Sequence, residues 1–214
     1  MSAEIVHEDF EVHFPVLIME RQYDGVAELN RELARFVRSL ARTRKSWNPN
    51  NRRQYRAGFS TAVDFLDFAE PAVATIRAMI EDALTKYVQR LCDASLIPLE
   101  DTSLRDYALS IHGWSVILGE GDWICPHIHR GGEFSGVYYV EIPPLEFPEG
   151  CIEFINPTPS FSSVIEHATA ETVRKMPREG RMLLFPASYM HLVYPFHGPR
   201  ERICVSFTGA FHSK

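Results

Sequence analysis

From residue 107 onward the chain breaks into eight short runs rich in β-branched and aromatic residues, with Gly, Pro and charged residues between them. No other feature limits the fold so strongly. The runs lie near 107–118, 122–129, 133–142, 151–156, 171–176, 181–185, 191–196 and 202–211. Eight short strands joined by turn chemistry predict a jelly roll or barrel. Gly119-Glu120-Gly121-Asp122 and His197-Gly198-Pro199 are the clearest hairpin turns. The loops at 143–150 and 157–170 are longer and suited to roofing a site.

The first half has a different texture. Residues 10–20 read as an edge strand or extended arm, with Pro15 favouring the edge. Asp24 can cap a helix over 25–42, where Val26, Leu29, Leu33, Phe36, Val37 and Leu40 recur at helical spacing. Pro71 suits the first turn of a second helix to about residue 92, with Val73, Ile76, Ile80, Leu84, Tyr87 and Leu91 as its stripe. Each helix has one apolar face, so both are expected on the outer face of a sheet. Between them, 42–56 carries six basic residues with Trp47 and Tyr55. A solvated loop is the plain reading; a lid that attracts an acidic substrate is the sharper one.

These elements predict an α+β, mainly β chain forming one domain over 1–214. Residues 1–100 supply an arm and helical annex, and 101–214 the β core. A chain of this length buries roughly 70% of its extended surface, so it needs no disulfide staples. The four cysteines are widely spaced without a Cys-x-x-Cys pair, and reduced thiols are expected. With 28 acidic against 22 basic residues the net charge is −6, which argues against general nucleic-acid affinity. The acidic start lacks a secretory profile, and no apolar stretch approaches the ~20 residues of a membrane span. The expected location is the cytoplasm.

His127-Ile128-His129 is an i, i+2 pair, and in a strand such residues project from one face. Two imidazoles can then reach a shared ion at about 2.0–2.2 Å from one short segment. His191 follows the run Gly180 to Pro186, and Arg202 comes eleven residues later. If 191–196 and 202–211 form a hairpin turning near Gly198, His191 lies nearly opposite Cys204 and Arg202 opposite Val193. All four then share one face. Arg202 would sit deeper than the metal by about the length of a five-carbon dicarboxylate, where its planar fork can grip a carboxylate. Imidazole suits Fe, Zn, Cu and Ni alike, so the ligand type does not select the metal. Tyr138 and Tyr139 face opposite ways, so at most one serves this site. Trp114 and Trp123 flank the first hairpin and read more simply as core than as pocket lining. His112 reads as a satisfied core histidine, and His197 as an exposed turn residue. No Gly-x-Ser-x-Gly elbow or Walker motif is present.

The run Pro126 to Val140, containing His-Ile-His and Ser-Gly-Val-Tyr-Tyr, then Gly180 to Pro186, His191 and Arg202, resembles the bacterial and phage 2-oxoglutarate-Fe(II) oxygenase family. It is also similar, more distantly, to the prolyl hydroxylases. The likeness spans about 107–211. It implies a double-stranded β-helix, cupin-like, that binds Fe(II) and 2-oxoglutarate and hydroxylates a small-molecule or peptide substrate with release of succinate and CO2. It further implies that His127 and His191 are the metal-ligating histidines and that Arg202 binds the far carboxylate of 2-oxoglutarate. Tyr139 would support that carboxylate, and Ser206 would stand in for a serine that Cys204 replaces. His129 falls where better-studied relatives carry an aspartate. Three readings of that departure stay open: a three-histidine iron centre, a carboxylate from elsewhere such as Glu133, or a metal holder without turnover. A three-histidine dioxygenase that does not use 2-oxoglutarate and a non-catalytic cupin-like metal-binding protein are the rival functions. The N-terminal arm could pair with a neighbour's sheet edge in a homodimer.

Overall fold

The computed structural model describes residues 3–13, 16–43, 58–94, 96, 107–156 and 172–214. The chain opens with strands β1 (Glu4–His13) and β2 (Val16–Asp24), then helix α1 (Ala27–Thr43). The two-residue β3 (Phe59–Ser60), a 3-10 turn (Phe65–Asp67) and helix α2 (Pro71–Asp93) follow. The β half contains β4 (Tyr107–Leu118), β5 (Ile124–His127), β6 (Phe134–Glu141) and β7 (Ile152–Ile155). It ends with β8 (Thr172–Lys175), β9 (Arg181–Pro186), β10 (His191–Val193) and β11 (Arg202–Ser213). Seven strands form one antiparallel sheet in the order β1-β2-β9-β6-β11-β4-β3, and four form a smaller one in the order β5-β10-β7-β8.

The central strands of the larger sheet are apolar on both faces, because each of their two alternating rows has something to bury against. Tyr138, Val140, Met182, Leu184, Ile203, Val205 and Phe207 pack with the helix stripe of Leu33, Val37, Val73, Ile76, Ile80 and Leu84. Val137, Tyr139, Leu183, Phe185 and Cys204 pack with Ile124, Ile152, Phe154 and Val193 of the smaller sheet. Each fully buried aliphatic or aromatic side chain contributes about 1.5–3 kcal/mol. Polar ties fix the helices on the outer face: the Tyr87 hydroxyl donates to the Leu17 carbonyl at 2.6 Å, and Tyr138 donates to Asn30 Oδ1 at 2.7 Å. Arg21, buried in the sheet, reaches Glu8 on β1 and Asp82 on α2.

The eight runs of the second half all form strands. The arm does not form one strand over 10–20: it is a hairpin, with β1 pairing β2 from Glu4 opposite Asp24 to His13 opposite Val16. The described part of β1 is mostly exposed, as befits an edge, and so lacks the apolar alternation that marks a strand in sequence. Helix α1 starts at Ala27 rather than 25, since Gly25 has a φ of 67°, outside the right-handed helical region. Pro15, the basic stretch 44–57 and the loop 157–170 lie outside the described residues.

Both expected hairpin turns instead carry the chain from one sheet to the other. Residues 119–122 join β4 of the larger sheet to β5 of the smaller, and 194–201 join β10 to β11. The two crossovers meet, Gly121 N–H donating to the Phe196 carbonyl at 2.9 Å. The loop 143–150 lies at this same end: Gly150 N–H donates to the Pro195 carbonyl, and a Cβ on Gly150 would sit 3.9 Å from Arg202 Cδ. It forms a floor, not the expected roof.

Gly136 lies on the helix-facing row of β6 with Tyr138 and Val140, and an added Cβ would meet the Phe207 ring and stand 2.5 Å from the Leu183 carbonyl oxygen. We expect Gly136→Ala to lower the unfolding free energy by about 1–3 kcal/mol. Urea denaturation checks this; an unchanged midpoint would show that the strands part at little cost.

Candidate metal centre and anion pocket

The three histidines converge through strand pairing in the smaller sheet. β5 ends on His127, which stands directly opposite His191, the first residue of β10. His129 lies two residues past the strand, where its N–H donates to the Ala187 carbonyl at 2.8 Å. One ring nitrogen from each histidine lies within 4.8 Å of the others, and the Nε2 atoms of His129 and His191 are 3.2 Å apart. Two ligands each about 2.1 Å from one ion and at right angles are separated by about 3 Å. The spacing fits a shared ion held from one side.

The tautomer of two rings is set by the backbone. Nδ1 of His127 donates to the Cys125 carbonyl and Nδ1 of His191 to the Tyr189 carbonyl, each at 2.8 Å. That tautomer leaves each Nε2 lone pair free to face its neighbours. Burial lowers the pKa of all three rings. His129 is pushed down to about 3 by burial and by the charge His127 would carry, and His191 falls well below its ordinary value for the same reasons. For His127 burial outweighs the carbonyl bonds that favour a proton. The rings are therefore neutral at physiological pH, the state a metal requires.

The same pocket contains Arg202, Tyr139, Cys204 and Ser206 from the larger sheet. Arg202 is only 1% exposed. Its guanidinium lies 5.1 Å from the centre of the Tyr139 ring, and Nη1 reaches Cys204 Sγ at 3.7 Å. Arg202 Nε and the Tyr139 hydroxyl are buried without hydrogen-bond partners. No carboxylate pairs with Arg202 among the described residues. A buried cation in this condition is costly, and an anion entering the pocket relieves the cost. Burial raises the Tyr139 pKa despite the nearby guanidinium, so its hydroxyl is a neutral donor. The walls between the two clusters are Ile124, Val137, Ile152, Phe185 and Val193.

The histidines, Arg202, Tyr139, Cys204 and Ser206 share one pocket, as expected from the sequence, but not through the expected strand pairing. His191 is not opposite Cys204, nor Arg202 opposite Val193. β10 pairs β5 and β7, whereas Arg202 pairs with Leu118, and Cys204 with Val116 and Tyr139. The histidines and the arginine face each other across the two sheets. Arg202 still points inward because 202, 204 and 206 share one row of β11. Glu133 is exposed, its carboxylate accepts the Phe211 N–H at 3.0 Å, and it is not part of the metal-ligand group. His112 is exposed rather than a core histidine. It shares the inward row of Trp114, Val116 and Leu118, but β4 extends past the cover of the shorter strands facing it. His197 is exposed, bonded to Glu149. Trp114 is both core and pocket: 8% exposed, it stacks on His129 with centroids 5.4 Å apart and planes at 25°. Trp123 is half-buried and outside the pocket lining.

Residues 112–208 match the model of a family described as "Putative 2OG-Fe(II) oxygenase". Among solved structures, a Pseudomonas putida prolyl-4-hydroxylase is similar with a TM-score of 0.58 at 16% identity, covering 97% of this chain and 92% of its own. The Trichoplax adhaerens prolyl hydroxylase, in complex with a hypoxia inducible factor peptide fragment, gives 0.54 at 14% identity over 86% of this chain and 78% of its own. SnoN, a non-heme alpha ketoglutarate dependent epimerase from nogalamycin biosynthesis, gives 0.58 at 15% identity over 89% and 76%. At these identities the structural likeness is one of fold, the double-stranded β-helix. No curated protein matches the sequence. No helix among the described residues is long and apolar enough to cross a membrane.

The neutral rings give a pH prediction. In the unfolded chain each histidine has its ordinary value near 6.5, above its value in the fold. Between the two values the unfolded state binds more protons, so stability increases with pH there. We expect the metal-free protein to lose stability as pH falls from 7 to 5.5, read as a lower urea midpoint. A midpoint that rose on acidification would contradict buried neutral imidazoles.

Proposed function

We propose that this 2-oxoglutarate–Fe(II) oxygenase holds Fe(II) on His127, His129 and His191 and anchors 2-oxoglutarate through Arg202. In this reading it hydroxylates a small molecule or peptide, and succinate and CO2 are the co-products. The observation that carries the reading is the buried Arg202 guanidinium, without a carboxylate partner among the described residues, in the same pocket as three converging imidazoles. The orphaned Arg202 Nε and Tyr139 hydroxyl fit a carboxylate.

Each residue has a derivable task. The carbonyls of Cys125 and Tyr189 hold the rings of His127 and His191 so that Nε2 is offered as a lone pair. Arg202 supplies the positive charge for the distal carboxylate, and Tyr139 and Ser206 supply hydroxyl donors beside it. Cys204 is a weak donor, so the hydroxyls carry the neutral hydrogen bonds. The apolar walls keep water from competing for these groups and strengthen the charge interaction. When bound, Fe(II) and 2-oxoglutarate together supply the O2 chemistry that the side chains lack. The sum is a substrate C–H plus O2 plus 2-oxoglutarate giving C–OH, succinate and CO2.

A second reading, a three-histidine dioxygenase that does not use 2-oxoglutarate, is favoured by the all-imidazole ligand group. It leaves the buried arginine without a task.

Under anaerobic conditions, Fe(II) with 2-oxoglutarate should give the weak visible charge-transfer band of a chelated keto acid; no band would reject the use of 2-oxoglutarate. Succinate formed from 2-oxoglutarate and O2 without added substrate measures turnover. We expect Arg202→Met to raise the 2-oxoglutarate concentration needed for either signal by roughly 30-fold or more, as for loss of a buried charge pair. Iron content should be unchanged. Equal loss of iron and 2-oxoglutarate would contradict the assigned role.

A further inference from the structure

His127 and His191 are each held against rotation by a bond from Nδ1 to a backbone carbonyl. No such carbonyl bond holds the His129 ring among the described residues. His129 also stands beyond the end of β5, its backbone N–H tied to Ala187; among the described residues its ring has one polar contact, Nε2 to Nε2 of His191, between the two atoms that a bound ion would claim. Yet its ring is nearly parallel to that of His191, at 3°, with the two Nε2 atoms 3.2 Å apart. Something must hold that plane, because an imidazole offers a metal one lone pair, in the ring plane, at one atom.

The indole of Trp114 is the group against it. It comes from the inward row of β4, is 8% exposed, and stacks on the His129 ring at 5.4 Å and 25°. Its backbone is fixed by pairing with Ser206 on β11. We infer that Trp114 is the positioning residue of His129: the flat indole face replaces the missing carbonyl bond and sets the ring plane in which Nε2 meets the ion. The inference rests on the iron-centre reading given above. A carboxylate at position 129 would have no such need, since its two oxygens present lone pairs in several directions.

The test measures metal affinity rather than turnover, by Co(II) titration of the metal-free protein followed by calorimetry and visible absorbance. Outer groups that orient metal ligands typically set affinity by 10- to 100-fold. Trp114→Leu should weaken Co(II) binding by about tenfold or more, and Trp114→Phe, which keeps a flat face, by less than about threefold. In a His129→Asp background, which should itself retain metal, Trp114→Leu should change affinity by less than about threefold. Co(II) should also quench tryptophan emission in the parent, and less in Trp114→Phe. Equal weakening by Trp114→Leu in both backgrounds would mean that the indole only fills space, which overturns the inference. So would unchanged affinity in Trp114→Leu, or a tenfold loss in Trp114→Phe should the leucine variant not fold. A parent protein that takes up no Co(II) at all rejects the metal centre itself, a separate and distinguishable failure.

Discussion

The larger sheet is covered on both faces, and the period of two along β6, β9 and β11 has to serve both covers. Tyr138 meets helix α1 through Asn30 while its neighbour Tyr139 meets the guanidinium of Arg202. On β11, Ile203, Val205 and Phe207 belong to the helix-side core, and 202, 204 and 206 line the pocket. A slip of one residue in β11 would put a guanidinium under the helices and phenylalanine in the pocket. The register that buries the most apolar surface is therefore the register that builds the site. Stability and chemistry are not separately adjustable along these strands.

The strands of the second half were legible because their alternation is written in residue types, and the helices because each carries a stripe. What could not be read was which strand lies beside which. A run such as His197-Gly198-Pro199 has the same turn chemistry whether the chain folds back within a sheet or steps across to the facing one. Only the joint burial of all strands decides between them. The inward direction of Arg202 is readable all the same, because parity within β11 does not depend on the partner. The hairpin of β1 was hidden for the opposite reason, since an exposed edge has little apolar pattern to betray it.

Trp114 shows another limit. A tryptophan in a strand reads as core, and this one is core by burial; its contact with His129 depends on a loop crossing from the other sheet. His112 has the same parity, which predicts burial, but inward parity is only half the requirement. The facing strand must also be long enough to cover the position, and strands of three or four residues do not reach it.

The histidines all come from the smaller sheet or the segment leaving it, whereas Arg202, Tyr139 and Ser206 belong to the larger one. The two halves of the centre thus stand on different walls, joined where Trp114 of the larger sheet lies against His129. In the proposed reading, a ligand exchanged on one wall would alter which ion is preferred while the opposite wall kept its grip on the organic acid, so the metal chemistry could change in a single substitution without loss of the fuel.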